Sequence, residues 1–216
     1  MHICVNNLIE IKKEIKSKNF NSNSKIIAVS KTFSMEKITP LINYGHLDFG
    51  ENKVQEAIEK WTIIKKKNPN LKLHMIGKLQ TNKTKQAIKL FDYIHSLDSI
   101  KLAKKISDEQ KKIEKKIKIF IQVNVGSESQ KSGISILDLN EFYKYCTSVL
   151  KLDIVGLMCI PPINNDPNIF FKKMNELLSS LNLSELSMGM SSDYLIALKY
   201  NSTYLRIGSK IFGIRN

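Results

Sequence analysis

Lys31 follows the run Lys25-Ile26-Ile27-Ala28-Val29-Ser30, where a buried parallel strand delivers its last side chains. An amine partly withdrawn from water at such a strand end favours its neutral form and can attack an aldehyde to form a Schiff base. A second constellation lies near the C-terminus. Ser187-Met188-Gly189-Met190-Ser191-Ser192-Asp193 and Arg206-Ile207-Gly208-Ser209 combine hydroxyls with glycines where helical segments begin. Backbone N–H groups at such starts bind phosphate, and glycine permits its close approach. Ser191, Gly208 and Ser209 therefore read as a phosphate cup, and a cup opposite an amine selects a phosphorylated aldehyde. Of 34 Lys and Arg residues only Arg206 and Arg215 are arginine. Where lysine is the default cation, Arg206 reads as retained for its planar fork, the alternative being a chance surface residue.

Other positions leave more than one reading open. Asn52, in Asp48-Phe49-Gly50-Glu51-Asn52, either caps the next helix or faces a ligand. His74, inside the apolar stretch Leu73-His74-Met75-Ile76-Gly77, fits a satisfied core histidine or one lying behind the site. No carboxylate is placed beside it by the sequence, so it receives no general-base role. Asn124, at the end of another strand, should project toward the mouth beneath the loop that runs to Lys131-Ser132-Gly133.

These residues need elements that gather strand ends. Helical periodicity is expected over about 3–18, 35–44, 51–66, 80–90, 98–114, 136–149, 167–180 and 191–199. Strands are expected at 25–30, 46–49, 71–76, 91–95, 117–125, 152–158, 183–187 and 203–207, followed by a final helical turn. Eight alternating β and α units predict a single (β/α)8 TIM-type barrel, class α/β, with an extra N-terminal helix; an open doubly wound sheet is the alternative. Barrel active sites form at the C-terminal ends of the strands, with phosphate sites favoured after strands 7 and 8. No linker or composition shift divides the chain, so one domain over residues 1–216 is expected.

The net charge of +14 invites a nucleic-acid reading, since clustered cations displace counterions from phosphates. Runs such as Lys65-Lys66-Lys67 and Lys115-Lys116 fall on outward faces of different helices without aromatic company, so a solubilising surface is preferred. Cys4, Cys146 and Cys159 lie far apart and suggest neither disulfides nor a zinc site. With no long apolar span and no leader pattern, a cytoplasmic, non-membrane protein is expected.

The chain also resembles the pyridoxal phosphate homeostasis family, also called the alanine racemase N-terminal-domain-like or YggS/PROSC family. The resemblance covers almost the whole sequence. It is carried by Ala28-Val29-Ser30-Lys31-Thr32, Asp48-Phe49-Gly50-Glu51-Asn52 with Val54-Gln55-Glu56, His74-Met75-Ile76-Gly77 with Leu79-Gln80-Thr81-Asn82-Lys83, Lys131-Ser132-Gly133, Gly156-Leu157-Met158, Leu186-Ser187-Met188-Gly189-Met190-Ser191 and Arg206-Ile207-Gly208. It implies a barrel holding pyridoxal 5′-phosphate as a Schiff base on Lys31, with the phosphate near Ser191, Gly208 and Ser209 and Arg206 near the ring or phosphate. The implied cofactor-binding set is Lys31, Asn52, His74, Ser187, Ser191, Arg206, Gly208 and Ser209, with no catalytic residue and no metal. Ser209 stands where threonine is usual, Lys78 where proline, histidine or arginine is frequent, and Pro161-Pro162 where one proline is typical.

Two roles then compete. One is intracellular cofactor homeostasis by a monomeric carrier serving pyridoxal phosphate-dependent apoenzymes; the other is a fold-type III amino-acid racemase. A racemase needs a second acid/base across the substrate, which related enzymes take from a C-terminal β domain. With the chain ending at Asn216, the carrier is the preferred expectation.

Overall fold

The structure, a computed structural model, describes residues 2–18, 24–128, 130 and 132–213. Lys131 and Arg215 lie outside the described residues. The chain runs α1 (Ile3–Ser17), β1 (Lys25–Val29), α2 (Met35–Asn43), β2 (Asp48–Glu51), α3 (Val54–Lys67), β3 (Lys72–Met75), α4 (Thr84–Leu90), β4 (Tyr93–Leu97) and α5 (Ile100–Ile113). It continues through β5 (Lys118–Gln122), α6 (Leu139–Lys144), β6 (Asp153–Met158), α7 (Pro167–Ser180), β7 (Glu185–Ser187), α8 (Tyr194–Lys199), β8 (Tyr204–Ile207) and α9 (Ser209–Phe212). The strands form a closed parallel barrel in the order β1 to β8, closed by β1 on β8. The expected barrel is the one observed, and the open sheet is excluded.

Burial explains why these segments close. Every residue of β4 is buried, and the other strands are buried beyond their first residues with few exceptions, as expected for a sheet covered by helices on one face and filled on the other. Ile27, Tyr93, Phe120, Met158 and Tyr204 form an apolar cluster separate from the main core. They come from β1, β4, β5, β6 and β8, strands that can meet only inside the barrel. The larger cluster lies between sheet and helices. α1 joins it through Cys4, Val5, Leu8, Ile11 and Ile15, one stripe of an amphipathic helix.

Where boundaries depart from the periodicity, side chains supply the reason. β4 starts at Tyr93, not 91, because Phe91 ends α4 with its N–H on Ala87 O (2.8 Å). β5 stops at Gln122, short of 125, because the chain turns at Asn124, whose side chain holds Glu128 through its N–H (3.2 Å) and its carbonyl (2.8 Å). α6 begins at Leu139 because Ser135 and Asp138 close a turn (Oγ to Oδ2 2.7 Å) ahead of it. α8 begins at Tyr194, not 191, because Asp193 Oδ1 accepts the Met190 N–H at 2.6 Å. That last turn leaves Ser191 outside the helix.

Candidate functional site

The strand ends converge on an open pocket of about 540 Å³ at the C-terminal face of the barrel, a volume suited to a small cofactor. Its lining includes Lys31 beyond β1, Asn52 beyond β2, Ser191 after β7, and Arg206, Gly208 and Ser209 at the end of β8. Six of the eight residues expected from the sequence are thus brought together. Asn52 does not cap α3, whose first flanking residue is Lys53. It faces the pocket, and Gly77 packs against it so closely that a Cβ there would lie 2.4 Å from the Asn52 carbonyl oxygen.

Lys31 is positioned by its neighbours. Ser30 is fully buried; its N–H donates to Gly50 O (3.0 Å), its hydroxyl to Glu51 Oε1 (2.7 Å), and its carbonyl accepts from Lys60 Nζ (2.9 Å). On the other side Thr32 has φ 67°, a costly backbone state for a β-branched residue. Its N–H donates to Glu56 Oε1 at 2.6 Å. Lys60 also contacts Glu51 (2.7 Å) and Glu56 (2.9 Å), and Trp61 Nε1 donates to Glu51 (3.0 Å). The first two turns of α3 therefore clamp both flanks of Lys31. The sequence reading did not single out Glu51 or Lys60 in this role. The expected elements gave no signal for Glu51, since they end the strand at 49 and begin a helix at 51; β2 instead runs to Glu51 and buries its carboxylate, which a partner must then offset.

Across the mouth, Ser191 Oγ accepts the N–H groups of Gly208 and Lys210, both at 3.3 Å, tying the loop after β7 to the start of α9. α1 braces the same corner. Asn7 Nδ2 donates to Ile211 O (2.9 Å), Lys210 Nζ donates to Glu14 Oε2 (2.9 Å), and the Tyr194 hydroxyl donates to that carboxylate too.

His74 and Ser187 lie outside the pocket lining; both are 0 % exposed, inside the barrel. Arg206 Nη1 donates to Ser187 O (2.6 Å) and Ser187 Oγ (2.8 Å), while Nη2 donates to Cys159 O (2.8 Å). Ser187 Oγ lies 2.8 Å from His95 Nδ1, His95 Nε2 lies 3.0 Å from His74 Nδ1, and His74 Nε2 lies 3.0 Å from Asp48 Oδ1. A carboxylate therefore does stand beside His74, contrary to the sequence expectation. The β2–β3 register sets Gly50 opposite His74, which brings Asp48, two residues earlier on the same strand, within reach of the ring. His95 was not singled out either. Its signal was parity: it lies two residues from the interior Tyr93 on β4, and alternate strand residues share a face.

Burial drives His46 down to about 4 and His74 and His95 below the ordinary 6.5, with Asp48 partly opposing the shift at His46 and His74. A histidine with a depressed native pKa stays neutral while the unfolded chain takes up a proton, so its contribution is intact above 6.5 and lost as pH falls below it. For each such histidine the loss is at most about 1.4 kcal/mol per pH unit. Urea denaturation between pH 7.5 and 4.5 is expected to give falling stability from about pH 6.5 downward, extending for His46 to about pH 4. Unchanged stability over that interval would contradict the burial of neutral imidazoles.

Comparison with known proteins agrees with the barrel fold. The family model described as alanine racemase, N-terminal domain, matches residues 5–216. The pyridoxal phosphate homeostasis protein of Haemophilus influenzae is 36 % identical over 223 residues, covering 97 % of this chain and 94 % of the relative. PipY of Synechococcus elongatus PCC7942, solved without PLP, superposes with TM-score 0.89 at 31 % identity over 98 % of this chain and all of PipY. The PipY structure with PLP bound gives 0.82 at 31 % identity, over 94 % of this chain and 98 % of that one. An alanine racemase from Clostridium difficile 630 shares the fold at TM-score 0.77 and 15 % identity; 99 % of this chain matches 57 % of the racemase.

Proposed function

The chain belongs to the pyridoxal phosphate homeostasis proteins of the alanine racemase N-terminal-domain family, and on that footing we propose that it binds pyridoxal 5′-phosphate in the pocket at the barrel mouth and serves homeostasis of that cofactor as a single domain. Lys31 is the residue we assign to the aldehyde: its amine condenses with the carbonyl carbon and water leaves. Ser191, Gly208 and Ser209 take the phosphate, and Asn52 and Arg206 line the space between. The bound cofactor would supply an electrophilic aldehyde and an electron-accepting ring. The observation that carries the reading is the placement of one lysine and a hydroxyl- and glycine-lined corner around a single pocket of about 540 Å³.

A holding role is preferred over racemisation on the chemistry of the same lining. Its ionisable side chains among the described residues are Lys31 and Arg206. Arginine stays protonated and is a poor proton acceptor, so the wall offers no second acid/base for proton exchange at a substrate carbon. The chain is further proposed to act as a monomer in a reducing, cytoplasmic setting, delivering the cofactor to apoenzymes; three buried free cysteines suit that setting. Among the described residues no helix is long and apolar enough to cross a membrane.

Titration of the purified protein with pyridoxal 5′-phosphate, followed by visible absorbance, tests the binding claim. One equivalent is expected to bind saturably, and phosphate-free pyridoxal at least about tenfold more weakly, since charge-assisted contacts to the phosphate are lost. Absence of any spectral change ends the proposal. Incubation of the loaded protein with L-alanine and chiral analysis tests the holding role, which sustained racemisation would overturn.

A further inference from the structure

Arg206, a charged residue of the lining, is tied into the barrel interior, and its tie continues to the far end of the barrel. Arginine donates and never accepts, and an ionised carboxylate accepts and never donates. With both histidines neutral, the direction of every bond between these ends is then determined. His74 Nε2–H donates to Asp48, so His74 Nδ1 accepts from His95 Nε2–H. His95 Nδ1 in turn accepts the Ser187 hydroxyl proton, and Ser187 Oγ accepts from Arg206.

Rings pack this chain on both sides. His74 stacks on Tyr93 (centroids 4.4 Å apart, planes at 13°) and His95 on Phe120 (4.3 Å, 16°), so each imidazole lies flat against an aromatic neighbour, with the two histidine rings inclined at 57° to one another. Asp48 is 20 % exposed and borders a separate surface depression with Lys12, Lys16, Lys25 and His46. The chain thus crosses the barrel from that depression to the cofactor pocket.

We propose that Asp48, His74 and His95 are positioning residues for the cofactor: through Ser187 they fix the Arg206 fork against the ligand's side of the pocket. Three of the five N–H groups of Arg206 are committed to Ser187 O, Ser187 Oγ and Cys159 O, which aims its remaining donors. Buried hydrogen-bond chains act as units because their members polarise one another, and a break leaves the partners unsatisfied. Removing the distant end should therefore be felt at the pocket.

The inference rests on cofactor binding, so the wild-type titration above is its control. His95→Phe keeps a ring against Phe120 and removes both nitrogens. Asp48→Ala removes the chain's terminus at a part-exposed position, and Asp48→Asn keeps an oxygen to accept the His74 N–H. For folded His95→Phe and Asp48→Ala, affinity for pyridoxal 5′-phosphate is expected to fall about tenfold, with a shifted visible band. Asp48→Asn is expected within about twofold of wild type. Thermal unfolding of each apo-protein identifies the folded variants; if His95→Phe does not fold, Asp48→Ala alone decides. Wild-type affinity and band in Asp48→Ala overturn the inference, as does an equal loss in Asp48→Asn. Failure of the wild-type protein to bind overturns the functional proposal instead.

Discussion

Substitution of Lys31 by alanine is expected to abolish the borohydride-fixed adduct and the visible band, and to weaken cofactor binding roughly hundredfold, equivalent to about 2.7 kcal/mol. The loss is large because the covalent link has no substitute within the lining. Arg206 is always protonated and cannot attack an aldehyde, and among the described residues the lining holds no second amine. Residual binding should persist, since the cup is built from β7, β8 and α9, which Lys31 does not hold. Folding should persist as well: Lys31 is half-buried at a strand end, and surface changes of that kind usually alter stability within about 0.5 kcal/mol. Mass spectrometry of peptides from the reduced adduct gives the readout. An undiminished adduct in Lys31→Ala, carried by another lysine, would remove Lys31 from the proposal.

That Lys31, Ser191, Gly208 and Ser209 would meet at one pocket was legible in the sequence because their placement follows from local rules. A β-branched run ending at Ser30 places residue 31 at a strand end, and two glycine-bearing loops after the last strands fall where barrels favour phosphate sites. The interior chain was less legible. Its bonds depend on the registers that bring Gly50 opposite His74 and His74 opposite Tyr93, and register between strands is set by the whole barrel, not by either segment. The expected end of β4 at residue 95 hid His95 further, since the strand runs to Leu97 and carries that histidine at its middle. The Glu51 and Lys60 clamp depends in the same way on how α3 is rotated against β2. Sequence periodicity thus located what points out of the barrel mouth and missed what crosses beneath it.

The spacing of that interior is tested most severely at Gly156. It pairs with Glu185 across β6 and β7, and a Cβ there would lie 1.8 Å from the Glu185 carbonyl oxygen and 2.6 Å from its carbon. Neither atom is the end of a flexible side chain, so Gly156→Ala requires β7 itself to move. The cost expected from such overpacking is about 3 kcal/mol, read as a lower urea midpoint at constant slope. Gly45→Ala separates this steric effect from backbone strain: Gly45 has φ 88° with nothing within 4 Å of its added Cβ, so that change should cost only about 1 kcal/mol. β7 delivers Ser187 to Arg206 and leads to Ser191, while Lys31 comes from β1. A displaced β7 therefore moves one side of the pocket relative to the other. Gly156→Ala is expected to lose cofactor affinity even at temperatures where it remains folded, whereas Gly45→Ala keeps it. Equal, mild destabilisation in the two variants, with affinity retained in both, would mean that the barrel tolerates a wider β6–β7 spacing and that the pocket does not depend on it.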